Sequence, residues 1–459
     1  MLNSMTALLG TLLAFIGALG VLVTIHEYGH FQVARSLGIK VLRFSVGFGP
    51  TLWMRRFGAD QTEFAVCAIP LGGYVKMLDA REGPVAEAEL PRAFNTQSVG
   101  RRFAVVAAGP LANLVLAVLV YWVMYMAGVS GPRPIVGEIH PGGIAAVAGL
   151  HAGDEIVAVD GRATAIWDNV MATAIDAILD AREVHMLVRS EQGREQSITL
   201  DFSRVSIDDL TRGDFFRKVG FEPRRLRLPP IIGKVIPGEA AALAGLEPGD
   251  VLEQVDGVAI NDWLKWVERV RSSPGQTLAV TVRRHGVAVA LTVTPRATGL
   301  EGALVGRIGA EVAPFEPSAE AMPYAVERYD PATAFVRAID RTEATALTTL
   351  KFMRKMLVGE ASVDNLSGPI SIAQFAGASA KLGATRFLEF LGLVSVSLAV
   401  LNLLPIPLLD GGHLMYFLLE VIMRRPVPEA IQVYGQHVGL TLLLGLMGLA
   451  MYNDLMRIF

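Results

Sequence analysis

The fold is decided near the amino terminus by the stretch Gly20-Val21-Leu22-Val23-Thr24-Ile25-His26-Glu27-Tyr28-Gly29-His30, in which an uncharged run ends in a His-Glu-x-x-His motif. Two histidines four residues apart lie on one face of a helix, so both can bind one zinc ion. Glu27 can act as general base on a zinc-bound water. The stretch therefore predicts a zinc-dependent hydrolase whose motif lies at the end of a membrane span. The alternative is a pair of interfacial histidines that end a membrane helix.

The composition separates this chain from small soluble domains. Its 459 residues exceed one compact domain, and 52% of them are hydrophobic, which indicates that part of the chain lies in lipid. The formal net charge of -3, with no long basic run, argues against a nucleic-acid partner. Cys67 is the only cysteine, so an internal disulfide is excluded and a thiolate zinc site is not expected.

Four segments pass the length test for membrane-spanning helices. They are approximately Met5 to Ile25, Phe103 to Val129, Phe390 to Leu409 and Ala430 to Asn453. We do not expect the first to be a cleaved signal peptide, because no basic residue precedes it and it continues directly into His26.

The basic residues predict the orientation of these spans. The loop from Phe31 to Arg102 is rich in arginine and lysine, and the short loop between the last two spans carries Arg424 and Arg425. Because cytoplasmic loops carry the excess of positive charge, we expect both loops on the cytoplasmic side. Both termini and the long segment from Val129 to Phe390 are then expected outside.

The outer segment contains a tandem repeat. Matching stretches follow at a constant offset, namely Gly137-Glu138-Ile139-His140-Pro141 with Gly233-Lys234-Val235-Ile236-Pro237, Ala148-Gly149-Leu150 with Ala244-Gly245-Leu246, Val159-Asp160-Gly161 with Val255-Asp256-Gly257, and Trp167 with Trp263. Each copy resembles a PDZ domain of the bacterial protease-associated kind. PDZ domains bind peptides as an added strand, and the alternative is that one or both copies are rigid spacers.

These patterns predict five regions. They are 1–133 with the first two spans, the metal motif and a cytoplasmic loop, 134–221 and 227–313 with the two PDZ copies, 314–386 as a linker, and 387–459 with the last two spans. The linker is expected to contain an amphipathic helix, since apolar residues recur at helical spacing beside basic ones. The apolar positions are Phe335, Ile339, Ala346, Leu350, Met353 and Leu357. This helix is expected on the membrane or on the PDZ copies, and packing into a small core is the alternative.

The cytoplasmic loop contains apolar β-sequence. Phe44 to Gly49 is predicted as one strand, and Glu63 to Met77 as two short strands around a Pro and Gly turn. Exposed apolar hairpins promote aggregation in water. We therefore expect this region to dip into the membrane against the helices, where its backbone groups can pair. The predicted fold class is thus a polytopic α-helical membrane protein with a membrane-associated β-hairpin region and two α+β PDZ domains.

A catalytic zinc ion needs a third protein ligand beside the two histidines. The third span ends in Leu401-Asn402-Leu403-Leu404-Pro405-Ile406-Pro407-Leu408-Leu409-Asp410-Gly411-Gly412-His413, where Asp410 follows a long uncharged run. An ionisable residue at that depth is costly and is a functional candidate. His413 is the alternative ligand. Asn402 is a candidate for binding a substrate backbone, with a polar contact between helices as the alternative.

Together these motifs resemble the site-2 protease family of intramembrane zinc metalloproteases, most closely its RseP-type members. The resemblance rests on His26-Glu27-Tyr28-Gly29-His30 and on Asn402-x-x-Pro405-x-Pro407-x-x-Asp410-Gly411. Further matching stretches are Arg43-Phe44-Ser45-Val46-Gly47-Phe48-Gly49, Pro70-Leu71-Gly72-Gly73-Tyr74-Val75-Lys76-Met77, Ala108-Gly109-Pro110-Leu111-Ala112-Asn113 and Leu366-Ser367-Gly368-Pro369-Ile370-Ser371. The resemblance covers essentially the whole chain.

The resemblance implies a role for each motif. It assigns one Zn²⁺ per chain to His26, His30 and Asp410, the general base to Glu27 and substrate handling to Asn402. It assigns presentation of the substrate to two segments, Gly47-Phe48-Gly49 and Gly72-Gly73.

The resemblance also implies a biological setting. The expected protein is a monomeric, lipid-embedded enzyme of the bacterial inner membrane, with its active site toward the cytoplasm and its PDZ domains in the periplasm. The expected substrates are pre-trimmed single-span membrane proteins, such as an anti-sigma factor in envelope stress signalling, and remnant signal peptides. The alternative, a catalytically inactive PDZ scaffold, is disfavoured because Glu27 is present.

Overall fold

The computed structural model describes residues 2–211, 213–225, 228–300, 303–315 and 323–458. The first region consists of α1 (Leu2–Ser36), β1 (Val41–Phe57), β2 (Thr62–Met77), a 3-10 helix (Glu87–Arg92) and α2 (Val99–Ala127).

Two similar α/β units follow. The first contains β3 (Val129–Pro132), β4 (Val136–Ile139), α3 (Ile144–Val147), β5 (Glu155–Val159), β6 (Arg162–Ala163), α4 (Trp167–Asp180), β7 (Glu183–Arg189), β8 (Glu195–Asp201), α5 (Ile207–Thr211), α6 (Phe215–Val219) and β9 (Phe221–Pro223). The second contains β10 (Ile232–Val235), α7 (Ala240–Leu243), β11 (Val251–Val255), β12 (Val258–Ala259), α8 (Trp263–Arg271), β13 (Leu278–Arg284), β14 (Val287–Val293), β15 (Arg296–Leu300), β16 (Ala303–Arg307) and β17 (Ala310–Val312).

The chain returns to the helical part after the second unit. This last region consists of β18 (Tyr324–Glu327), α9 (Pro331–Leu357), a 3-10 turn (Val363–Asn365), α10 (Pro369–Lys381), α11 (Ala384–Leu403), α12 (Asp410–Met423) and α13 (Glu429–Ile458).

Within the described ranges, four helices are long and apolar enough to cross a membrane, namely α1, α2, α11 and α13. Their number agrees with the prediction, but their bounds differ. The first helix continues beyond Ile25 to Ser36, so the metal motif lies inside it. α11 ends at Leu403 rather than at the predicted Leu409, because two prolines follow and lack the N–H group that a helix requires.

The helix α2 lies at the centre of the helical part and packs against α1, α9, α11 and α12. Small residues allow this close packing, as is usual between membrane helices. A Cβ atom at Gly29 of α1 would lie 2.8 Å from the Cβ atom of Ala112 on α2. A Cβ atom at Gly392 of α11 would lie 2.5 Å from the ring of Tyr121 on α2.

The strands β1 and β2 form one strongly bent sheet on the metal-motif helix. Val46 has two partners, Gly73 on one side and Val66 on the other, so the two halves of β2 flank the first half of β1. The predicted turn between two short strands is therefore corrected to a continuous strand from Thr62 to Met77. The left-handed backbone of Gly72, with φ +129°, bends the chain where it changes sides.

Aromatic side chains fix this sheet against α1. The ring of Phe31 on α1 makes edge contacts with Phe44 and Phe64, each with centroids 5.4 Å apart. The far half of β1 leaves Leu52 and Trp53 exposed at 71% and 51%. An apolar surface of this kind is what the predicted contact with lipid requires.

The two α/β units share one order of elements, β4 to β8 in the first and β10 to β14 in the second, and then differ, because α5 and α6 follow in the first unit and β15 and β16 in the second. Each has a four-stranded antiparallel sheet, in the orders β6-β5-β7-β8 and β12-β11-β13-β14. Matching positions turn in the same way, since Asp160 and Asp256 have φ of 49° and 50°. The predicted start of the second copy, Arg227, lies outside the described residues, and the PDZ assignment of both units stays a prediction.

The predicted amphipathic helix exists as α9, and Asp330 caps it by accepting hydrogen bonds from the N–H groups of Ala332 and Thr333. Its buried face differs from the predicted apolar stripe. The buried residues are Ala334, Ala338, Thr342 and Thr345, whereas the stripe residues Phe335, Ile339, Leu350 and Leu357 are exposed. Small residues occupy the buried face because α9 packs closely on α2.

Candidate metal centre

Three side chains from opposite ends of the chain converge at the second half of α1. The Nε2 atoms of His26 and His30 are 3.3 Å apart. The Oδ2 atom of Asp410, the first residue of α12, is 3.1 Å from His26 Nε2 and 3.6 Å from His30 Nε2. Among the described residues, these three are the group of potential ligands whose donor atoms all lie within 4.8 Å of one another.

This cluster fits a zinc ion. With zinc–ligand bonds of about 2.0–2.1 Å, the edges of a ligand tetrahedron are about 3.3 Å long, close to the three distances measured here. His30 Nδ1 lies 2.8 Å from the backbone oxygen of Val105 and donates to it, so its Nε2 lone pair faces the cluster. Asp410 Oδ2 is buried without a hydrogen-bond donor in the described part of the chain. A cation bound between the three atoms would pair these converging acceptors.

The loop between α11 and α12 holds Asp410 in place. Pro405 and Pro407 end α11, and the chain restarts as a helix at Asp410. Gly412 packs so closely against this loop that a Cβ atom there would lie 2.5 Å from the backbone oxygen of Ile406. Leu408 has φ +88°, an unfavourable backbone for a residue with a side chain, directly before the ligand segment.

The helix α2 closes the other side of the cluster. A Cβ atom at Gly109 would lie 2.5 Å from His30 Cε1 and 2.9 Å from His26 Nε2, and closer still to His30 Nε2. Only glycine allows the α2 backbone to pass this near to both rings. The sequence contained a signal for this contact, because Gly109 and Pro110 are adjacent in the middle of a membrane span, but the sequence did not indicate their partner.

Glu27 lies between the metal cluster and the sheet. A Cβ atom at Gly73 would lie 3.0 Å from both Glu27 Cγ and Val23 Cγ1, so the β2 backbone packs directly on this part of α1. The sheet therefore places a backbone edge beside the candidate base.

The structure brings together the two segments that were predicted to present the substrate. Phe48 stacks on Tyr74 with centroids 6.2 Å apart, and a Cβ atom at Gly72 would lie 2.9 Å from Phe48 Cζ and closer still to Phe48 Cε2. Gly47 and Gly49 have φ of +89° and +82°, which allows β1 to turn at Phe48.

The two remaining sequence candidates lie outside the cluster. Asn402, on the last turn of α11, makes no hydrogen bond to His26, His30 or Asp410 within the described residues, and its predicted role in substrate handling stays a prediction. The alternative ligand His413 is exposed on α12 and does not join the group that Asp410 forms with the two histidines.

An ion pair joins α2 to the helix that carries Asp410. Arg102 of α2 donates to Glu420 of α12 at 2.7 Å, and both side chains are 16% exposed. The Arg102 guanidinium also lies 5.0 Å from the centre of the Phe417 ring. This contact fixes α12, and with it Asp410, against the helix that supports the histidines.

A histidine pair inside a candidate membrane span, with an aspartate from a second helix and a glutamate beside them, is the residue set of a zinc metalloprotease. The chain belongs to peptidase family M50, whose model matches residues 14–446. This confirms the resemblance to RseP-type site-2 proteases that the motifs carried.

The similar proteins align along nearly the whole chain. The regulator of sigma-E protease RseP of Salmonella typhimurium is 42% identical over 99% of this chain and 100% of its own length. RseP of Escherichia coli K12 is 41% identical over 99% of this chain and 100% of its own length. A Neisseria meningitidis relative whose name is that of a zinc metalloprotease is 42% identical over 98% of this chain and 99% of its own length.

Proposed function

We propose that this protein is an intramembrane zinc metalloprotease of the site-2 type that cleaves transmembrane segments of pre-trimmed single-span proteins. The observation that carries the proposal is the convergence of His26, His30 and Asp410 on a candidate membrane span beside Glu27. The names of the relatives support a place in a sigma-E stress pathway, with an anti-sigma factor as substrate. Remnant signal peptides are a second proposed substrate class.

The proposed chemistry divides between the ligands and the base. His26, His30 and Asp410 would hold one zinc ion, and such an ion supplies a Lewis acid for a peptide carbonyl and its attacking water. Glu27 takes a proton from the attacking water and passes it to the leaving amine. Its position beside Gly73 supports a proton transfer close to the sheet.

The sheet supplies a way to hold the substrate in an extended form. Within the described residues, the segment Gly73 to Met77 pairs with β1 on one side only, so its other edge can accept an added strand. A membrane helix hides its peptide bonds in its own hydrogen bonds, and unwinding into a strand exposes them to attack. Phe48 and Tyr74 give this edge an apolar surface for the side chains of the unwound segment.

We further propose that the two α/β units stand outside the inner membrane as PDZ domains that limit substrate size. Lys351 of α9 pairs with Asp176 and Asp180 of the first unit at 2.7 Å each, which supports a fixed position of this unit over the helices. Lys265 of the second unit reaches Glu138 of the first at 3.6 Å. Two folded units at the entrance would exclude proteins with bulky outer domains.

The proposal is tested by Glu27→Gln, which removes the proton acceptor and leaves the ligands unchanged. We expect cleavage of a single-span model substrate in detergent or vesicles to fall at least about 100-fold, with one zinc ion per chain retained. Glu343→Gln, which changes an exposed glutamate on α9, is the matched control and should cleave normally. Normal turnover by Glu27→Gln would overturn the proposed mechanism.

A further inference from the structure

The side chain of Asn113 is fully buried on α2 beside the metal cluster, yet half of its amide has no partner. Its Nδ2 atom lies 3.4 Å from His26 Nδ1, and its Oδ1 atom makes no hydrogen bond in the described part of the chain. Both Asn113 and the neighbouring Ser395 are 0% exposed. A buried amide of this kind in a membrane helix is costly unless it is paired.

The chemistry of His26 determines which amide atom faces it. Its Nε2 atom points to His30 Nε2 and Asp410 Oδ2, so it must carry a lone pair to bind a cation. The ring proton is then on Nδ1, which is a donor and needs an acceptor. A half-turn of the Asn113 amide exchanges its two terminal atoms, places Oδ1 toward Nδ1–H and pairs both groups at once.

The same face of α2 serves the other histidine. Val105, Gly109 and Asn113 follow one another at intervals of four residues, which places them on one face of the helix. The Val105 oxygen accepts from His30 Nδ1 at 2.8 Å, and Gly109 lets the backbone approach both rings. Asn113 is thus the counterpart of Val105 for the second ring.

The main chain of Asn113 is itself anchored. Ser395 of α11 donates from Oγ to the Asn113 backbone oxygen at 2.7 Å. This bond joins α2 to α11, the helix that precedes the Asp410 loop. It therefore fixes the position of Asn113 along α2 relative to both α11 and the His26 ring of α1.

We propose that Asn113 is a positioning residue of the metal centre. It accepts the Nδ1–H of His26 through Oδ1, and thereby fixes the tautomer and the orientation of the ring. A ligand histidine held in this way is a better zinc ligand, and loss of such a partner typically lowers metal affinity 10- to 100-fold. The proposal rests on the proposed zinc site at His26, His30 and Asp410.

The test compares zinc affinity in the full-length protein, measured by chelator competition. Asn113→Leu removes the acceptor at similar size, Asn113→Ala removes it without bulk, and Asn113→Asp keeps it. We expect both acceptor-free variants to lose zinc affinity about 10- to 100-fold, with wild-type affinity in Asn113→Asp. Asn453→Leu is the matched control, because Asn453 is a buried amide on α13 that binds the backbone of Val363 instead, and it should bind zinc normally.

A cobalt-substituted spectrum separates positioning from loss of structure. Visible absorption of the Co²⁺ form should shift in the acceptor-free variants and match wild type in Asn113→Asp. Wild-type affinity and spectrum in Asn113→Ala, or an equal loss in Asn113→Asp, would overturn the proposal. His26→Ala tests the zinc site itself: unchanged zinc binding in that variant would refute the proposed centre, whereas its loss together with a neutral Asn113→Ala would refute only the role of Asn113.

Discussion

Gly109 offers the sharpest test of how closely α2 approaches the metal centre. In Gly109→Ala the new methyl group would lie 2.5 Å from His30 Cε1, whereas carbon atoms in contact keep about 3.5 Å. The helix or the imidazole must therefore move by about 1 Å. Overpacking of this kind costs about 1–3 kcal/mol, and a displacement of about 1 Å at a catalytic group costs about 100-fold in rate.

The assay measures zinc affinity, cleavage of a membrane substrate and thermal unfolding in detergent for Gly109→Ala. Gly100→Ala is the matched control, because Gly100 lies on the same helix and a methyl group there meets no atom within 4 Å among the described residues. The control should be neutral or stabilised by up to about 1 kcal/mol. If Gly109→Ala binds zinc and cleaves as well as Gly100→Ala does, α2 does not approach the His26 and His30 rings as closely as this contact requires.

Three further predictions concern the third ligand, the second α/β unit and the pair of units. Asp410→Asn should lose zinc affinity and activity, because a neutral amide is a poor ligand, and His413→Ala should be milder; zinc loss in His413→Ala alone would reverse the choice of ligand. In the second unit, burial alone would raise the pKa of Asp250, but hydrogen bonds from Arg284 and a backbone N–H hold the pKa below its ordinary 3.8. The resulting stability is present above pH 3.8 and is lost as the pH falls toward the lowered pKa. Arg284→Met should therefore move the acid unfolding of this unit to higher pH. Hydrogen exchange of β11–β14 measures the pH at the midpoint of unfolding, and the same midpoint in Arg284→Met and wild type would contradict this role of Arg284. Deletion of residues 134–313 should preserve zinc binding and allow cleavage of an untrimmed substrate; a folded deletion that no longer cleaves the pre-trimmed substrate would indicate recruitment instead of exclusion.

The sequence predicted those parts of the protein that depend on local spacing. The span number follows from apolar length, and the pairing of His26 with His30 follows from helical periodicity. Asp410 was identifiable because it is the acidic residue that follows a long uncharged run. The repeat was visible as a constant offset, and the structure follows it through the four-stranded sheet of each unit, although a repeat by itself does not establish the PDZ assignment or the side of the membrane.

Contacts between distant segments could not be predicted in the same way. The buried face of α9 carries alanine and threonine because its neighbour α2 approaches closely, and hydrophobic periodicity selected an adjacent face that is largely exposed. The double pairing of Val46 depends on a bend at Gly72 that no local pattern specified. Gly109 and Asn113 were noticed only as part of a family motif, since their partners lie on another helix.

The position of α2 explains how ligands from opposite ends of the chain meet. His26 and Asp410 belong to helices that both α/β units separate in sequence, so neither helix can position the other by local folding. One face of α2 contacts the rings of His26 and His30, the Arg102 end of the helix pairs with Glu420 of α12, and Ser395 joins α11 to the same helix. The polar contacts among these are hydrogen bonds or ion pairs between largely buried groups. Such bonds fix how far one helix is shifted along its neighbour more sharply than apolar contacts do. The precision of the metal cluster therefore arises from the helix that contributes no ligand to it.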